Sequence, residues 1–274
     1  MPVDVAAPVI ANRALSDDYN VLALAAPAIA AQAAPGQFVM VKASNGADPL
    51  LRRPFSIFEV LRDQQGAPTG VSILSKRIGV STRLIYDARP GQTVACLGPL
   101  GRPFTVVDSP GEAWMVAGGV GLAPFATLGE ALRARGVATT LFYGARTGRE
   151  LFYLDFFRSL GVELVLTTED GSIGEAGRVV APLDRLLASR PSSSRVMLYA
   201  CGPEGMLAAT ARVASKHSRP CQVSVERIMP LANSRVSGCR SIISLVGVQV
   251  GHSAFRPTLA FPDQAKPSRP MPTP

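Results

Sequence analysis

Cysteine is scarce in this chain: four residues in 274 (Cys96, Cys201, Cys221 and Cys239), widely separated and with no C-x-x-C pair. That spacing offers no disulfide framework and points to a reducing compartment, so the cytoplasm is the expected location. There is one tryptophan, and neither histidine, His217 or His252, sits in a recognisable motif, so both are read as surface residues. Long apolar runs are absent too. The longest, Val21–Ala31, is interrupted by Pro27 and is too short to cross a bilayer. The N-terminus carries Asp4 and no basic stretch followed by an apolar core, so no secretory signal is expected. The net charge of +8 comes from 28 basic and 20 acidic residues, without a basic block interleaved with aromatics. Scattered basic residues beside glycines fit pockets for small phosphorylated molecules better than a nucleic-acid track, and neither nucleic acid nor membrane is expected as a partner.

What is present is plentiful apolar material, 47% of the residues, arranged in three textures. Residues 8–107 read as short apolar strands cut by Gly, Pro, Asn and Asp, a pattern for a small antiparallel barrel. From 113 the rhythm becomes strand, turn and helix, as in "AWMVAGGVGLAPFATLGEALRARG" and "RVMLYACGPEGMLAATARVASKH", which predicts a parallel sheet covered on both faces. The segment 107–112, "VDSPGE", reads as the hinge. After 229 the texture breaks into 45 residues with seven prolines, an expected irregular tail. The expected units are therefore 1–107, 112–229 and 230–274.

Four stretches carry chemistry. In "RPFS", Arg53 and Phe55 share one face of a strand, so a guanidinium can fork onto a diphosphate while a ring lies against a flat heterocycle and Ser56 offers a hydroxyl. A barrel strand with a surface arginine is the plainer reading. In "LSKRIGVST", Ser81 and Thr82 open a helical turn whose N–H groups and dipole suit an anion, though a simple capped helix reads the same way. In "MVAGGVGLAPF", a buried strand runs into Gly118–Gly121 and a helix, the context of a phosphate-binding turn, with Ala123-Pro124 where a third glycine would stand. In "YACGPEGM", a strand ends at Cys201-Gly202-Pro203, at the sheet edge where open α/β folds bind ligands.

These stretches, in this order, resemble the ferredoxin–NADP reductase superfamily. "RRPFSI", "GGVGLAPF", "TEDGSIGEAG" and "CQVSVERIM" are most similar to the electron-transfer subunits of class 1B dihydroorotate dehydrogenases. The resemblance implies an FAD-binding β-barrel followed by a Rossmann-like domain with a parallel sheet for NAD. It implies Arg53 at the FAD pyrophosphate, with Pro54, Phe55 and Ser56 on the same strand, the last two at the isoalloxazine. It implies Leu74, Ser75 and Lys76 flanking the flavin and Ser81 and Thr82 on its phosphates. Gly119, Gly121 and Pro124 would face the nicotinamide dinucleotide, with Cys201, Gly202 and Pro203 near its ring. The implied job is electron transfer between NAD(H) and an FMN-containing dihydroorotate dehydrogenase catalytic subunit, in pyrimidine biosynthesis, through FAD and a [2Fe–2S] cluster.

The cluster segment departs from that pattern. A C-x4-C-x2-C run counted from Met229 would fall on Leu231, Val236 and Cys239, so one of three thiolates is present and no cysteine follows. The break at Pro230 reads as a change of reading frame. The alternatives are a stand-alone NAD(P)H-dependent flavin or ferredoxin-type reductase, or a nucleotide-binding module that has lost its redox function. About 20 residues past the glycine turn, where an acid would favour NAD, stand Arg146, Arg149 and Glu150. Arg146 could meet a 2′-phosphate, whereas the resemblance implies NADH.

Overall fold

The computed structural model describes residues 1–43 and 51–224, and the backbone of 248–250. Its first half is a closed antiparallel barrel of six strands in the order β1-β2-β5-β4-β3-β6. They are β1 (Val3–Ala14), β2 (Tyr19–Ala25), β3 (Phe38–Lys42), β4 (Arg53–Arg62), β5 (Pro68–Lys76) and β6 (Thr93–Leu100). Alternate side chains fill the interior: Val9, Leu22, Leu24, Val39, Phe55, Ile57, Ile73 and Val94 form one buried cluster. A short helix, α1 (Pro27–Ala30), seats Ile29 in the same cluster, and α2 (Val80–Tyr86) adds Ile85.

The second half is a seven-stranded sheet in the order β10-β9-β8-β7-β11-β12-β13. Its strands are β7 (Glu112–Gly118), β8 (Ala138–Ala145), β9 (Glu163–Thr168), β10 (Glu175–Ala176), β11 (Val196–Cys201), β12 (Cys221–Ser224) and β13 (Val248–Val250). All neighbours run parallel except β13, which is antiparallel to β12. Period-two alternation along β7 decides the layering. Ala113, Met115 and Ala117 face the barrel side with α3 (Phe125–Ala134) and α4 (Leu154–Ser159), while Trp114 and Val116 face α5 (Val180–Ala188) and α6 (Glu204–Lys216). β13 is a paired strand inside the segment expected to be irregular; the rest of that segment, with Leu231, Val236, Cys239 and His252, lies outside the described residues.

Barrel and sheet share a core. Val21, Phe58 and Leu74 of the barrel belong to one buried cluster with Met115, Leu122, Phe125, Tyr143 and Tyr199. The connecting stretch is pinned as well. Phe104 sits 6.2 Å from the Phe125 ring in a stacked arrangement and 5.4 Å from Tyr199 edge-on. The Tyr199 hydroxyl donates to the Thr105 carbonyl at 2.8 Å and accepts from the Val107 N–H at 3.3 Å. These contacts hold the barrel's β2, β4 and β5 against the first half of the sheet.

Candidate functional site

Strand β4 separates its two arginines. Arg52 reaches across to Asp4 on β1 at 2.8 Å, while Arg53, half-buried, has no ion pair among the described residues. Pro54 is half-buried, and Ser56 is 4% exposed. Phe55 is buried within the barrel cluster and 8% exposed.

Helix α2 is set in place from its far end. The Asn12 side-chain amide donates to the carbonyls of Ile85, Tyr86 and Ala88 at 2.9–3.0 Å, satisfying the last turn. At the near end, Thr82 Oγ1 accepts from the N–H groups of Ile78 and Gly79 at 2.9 and 3.0 Å and donates to the Gly79 carbonyl at 3.1 Å. The Thr82 hydroxyl is thus committed to building the turn. Ser81 beside it is half-buried. Ile78, before α2, and Val80, its first residue, are 80% and 61% exposed, unusual for large apolar side chains.

On β5, Leu74 is buried in the core shared with the sheet, and Ser75 is buried with its hydroxyl unpartnered. Lys76 stands opposite Tyr19 of β2 in the antiparallel register, its ammonium 4.7 Å from the centre of the Tyr19 ring.

The glycine turn after β7 has two faces. Gly119, at φ +56°, faces the cavity described below. Gly121 is buried, and a Cβ there would stand 2.2 Å from the Cys201 carbonyl oxygen. A Cβ on Gly118 would meet Met206 Sδ at 2.8 Å and Pro203 Cδ at 2.9 Å. A Cβ on Gly202, which sits at φ +150°, would stand 3.0 Å from the Gly118 nitrogen. The glycines therefore let the turns after β7 and β11 interlock. Gly121 and Pro124 are buried under that junction and are not among the residues that line the cavity described next. Cys201 is 2% exposed beneath the same junction.

A cavity of about 520 Å³ opens between the barrel and the carboxyl ends of the parallel strands. Tyr19 and Lys76 form its barrel wall; Gly118, Gly119, Gly144, Arg146, Glu150, Thr167 and Glu169 follow from β7, β8 and β9. Arg178 and Pro203 come from the stretches leading into α5 and α6, and Met206 from the first turn of α6. Of the residues expected at the site, Lys76, Gly119 and Pro203 meet here. Tyr19, Thr167, Glu169, Arg178 and Met206 are additions; "TEDGSIGEAG" was the one signal near three of them.

Hydrogen bonds fix this cavity's floor. Tyr143, fully buried, donates its hydroxyl to the Glu150 carbonyl at 3.1 Å, and burial pushes its pKa well above the usual tyrosine value. The Glu150 carboxylate receives Arg146 at 3.2 Å and, from across the barrel boundary, Lys76 at 3.7 Å. Thr167 Oγ1 is buried without a partner. His217, expected at the surface, is instead half-buried and bonds Asp184 at 2.6 Å, tying α6 to α5 away from the cavity. Cys96 and Cys221 are buried, their thiols pushed up to about 12 by desolvation. Among the described residues no three His, Cys, Asp or Glu side chains group to hold a metal, and no helix is long and apolar enough to cross a membrane.

Residues 115–212 match the oxidoreductase NAD-binding domain family. The dihydroorotate dehydrogenase B (NAD(+)) electron transfer subunit of Desulforamulus reducens is 35% identical over 80% of this chain and 81% of its own length. That of Geobacillus kaustophilus is 36% identical over 81% and 82%. Among solved structures, the NADH-dependent reduced ferredoxin–NADP oxidoreductase superposes with a TM-score of 0.70 at 26% identity, covering 82% of this chain and 78% of that one. A ferredoxin–NADP+ reductase from Neisseria gonorrhoeae shares the fold, with a TM-score of 0.62 at 17% identity over 78% and 91%. A barrel closed against the carboxyl edge of a parallel sheet, with sequence identity sustained across both, leaves one conclusion: the chain belongs to the family of dihydroorotate dehydrogenase B electron transfer subunits.

Proposed function

We propose that this protein is an FAD-dependent electron-transfer subunit that moves reducing equivalents between NAD(H) and an FMN-containing dihydroorotate dehydrogenase catalytic subunit, in pyrimidine biosynthesis in the cytoplasm. The observation that carries the reading is the cavity in which Lys76, from the expected flavin strand, meets Gly119 and Pro203 across the barrel–sheet boundary. The division of labour follows: flavin on 1–107, nicotinamide dinucleotide on 112–229.

The residues fit FAD. Arg53 has no ion pair among the described residues and so can meet the pyrophosphate, and the unpartnered Ser75 hydroxyl is a polar group that a bound ligand would satisfy. When bound, FAD supplies the exchange between two-electron and one-electron chemistry. The chain's own part is alignment and exclusion of water. The interlocked turns at Gly118 and Gly202 hold Pro203 at the cavity wall, and Tyr143 ties the Gly148–Glu150 turn to the core.

A four-thiolate [2Fe–2S] cluster does not fit one chain of this sequence, because Leu231 and Val236 occupy two of the ligand positions. That observation favours a second reading, a cluster-free NAD(P)H-dependent flavin reductase. The deciding experiment is purification with added FAD, an absorbance spectrum with iron assay, anaerobic addition of NADH, and co-purification with a dihydroorotate-oxidising chain. Bound flavin reduced by NADH, together with capture of that chain, supports the first reading. Reduction without capture supports the second. A folded protein that stays colourless with excess FAD sinks both.

A further inference from the structure

The cavity wall carries five charged groups: Lys76, Arg146 and Arg178 against Glu150 and Glu169. Their pairing decides what each can offer a ligand. Arg146 stands directly after β8, the second strand of the βαβ unit that begins at the glycine turn. In such a fold that position lies beside the adenosine ribose, where an acid receives the 2′-hydroxyl or a free arginine takes a 2′-phosphate. Arg146 is not free. Its Nη2 lies 3.2 Å from Glu150 Oε1. Glu169, immediately past β9, adds a second carboxylate to the same cavity wall. Glu150 is itself held: its N–H bonds the Thr147 carbonyl at 3.1 Å, its carbonyl receives Tyr143, and Lys76 approaches the same carboxylate oxygen.

Resting on the nucleotide site proposed above, we propose that Glu150 is a specificity-determining residue that selects against a 2′-phosphorylated dinucleotide by holding Arg146 in an ion pair. A 2′-phosphate entering here would have to pull Arg146 away from Glu150, in a cavity whose wall also carries the carboxylate of Glu169. A ribose 2′-hydroxyl demands neither. Rejection is built from repulsion as much as from missing attraction. Arg178 has no ion-pair or hydrogen-bond partner for its guanidinium among the described residues. It is a cation common to both ligand classes and does not discriminate between them.

The test uses the full chain and two probes that need no flavin, ADP-ribose and 2′-phospho-ADP-ribose, titrated by calorimetry. NADH and NADPH oxidation by the FAD-loaded protein is then compared. The wild type should bind ADP-ribose more tightly. Glu150→Gln, which keeps size and hydrogen bonding but removes the charge, should move the affinity ratio about tenfold or more toward the phosphorylated ligand. Adding Arg146→Ala should cancel that gain, and Arg178→Ala should weaken both ligands alike. A ratio unchanged within about twofold in Glu150→Gln, a gain that survives loss of Arg146, or a wild type that prefers the phosphorylated probe would overturn the inference. Failure of the folded wild type to bind either probe is a different result: it removes the nucleotide site itself, and the inference with it.

Discussion

Replacing Gly121 by alanine places a methyl group where the backbone of another element already sits. The added carbon would lie 2.2 Å from the Cys201 carbonyl oxygen, 2.5 Å from its carbon and 2.7 Å from Gly202 Cα. Ordinary contact begins near 3.4 Å, so the turn after β11 must retreat by about 1.2 Å. No flexible side chain can absorb that shift, because all three atoms are main chain. Overpacking of this severity costs about 3 kcal/mol, which at about 2–4 °C per kcal/mol for a chain of this size lowers Tm by about 6–12 °C. Gly205→Ala is the internal control. It lies in the first turn of α6 with nothing within 4 Å of the new carbon, so it should be neutral or stabilising by up to about 1 kcal/mol. Urea unfolding read by circular dichroism measures both. Equal midpoints for Gly121→Ala and the wild type would refute the view that this glycine exists to let two turns interlock.

Arg53→Ala should weaken FAD binding by about 1–3 kcal/mol, the scale of a lost charge-assisted hydrogen bond, and flavin retention on gel filtration checks it. Tyr199→Phe removes the hydroxyl that bonds Thr105 and Val107, and should destabilise by about 1–2 kcal/mol in urea without changing the fold. Asp184 has its pKa lowered by the hydrogen bonds of Lys216 and His217. A carboxyl with a depressed folded-state pKa contributes stability above the usual aspartate range, lost as pH falls through the folded value. Asp184→Asn should therefore flatten the fall in urea midpoint below about pH 4, and an unaltered acid limb would contradict the assignment.

The barrel strands were legible because apolar runs end at glycine, proline or asparagine, and the parallel sheet because strand and helix periods alternate. β1 escaped notice: only Ala7 and Val9 of its twelve residues are buried, so its apolar signal is thin. α4 and α5 are short, and Pro182 in α5 reads as a breaker, yet it sits in the first turn where its missing N–H is harmless. At the site, motif reading located turns that border the cavity but not which of their residues line it. Gly121 and Pro124 lie in a true strand–turn–helix but are used for packing, and Thr82 closes its own turn. The cavity's other walls come from residues 19, 167–169 and 177–180, which only the folded topology brings beside Lys76.

The apolar cluster that runs unbroken from Phe58 to Tyr199 makes the two halves mechanically one body. Protease nicking should not release a stable barrel, and the spacing between the redox ligands is decided once, when the polypeptide collapses, rather than anew at every turnover.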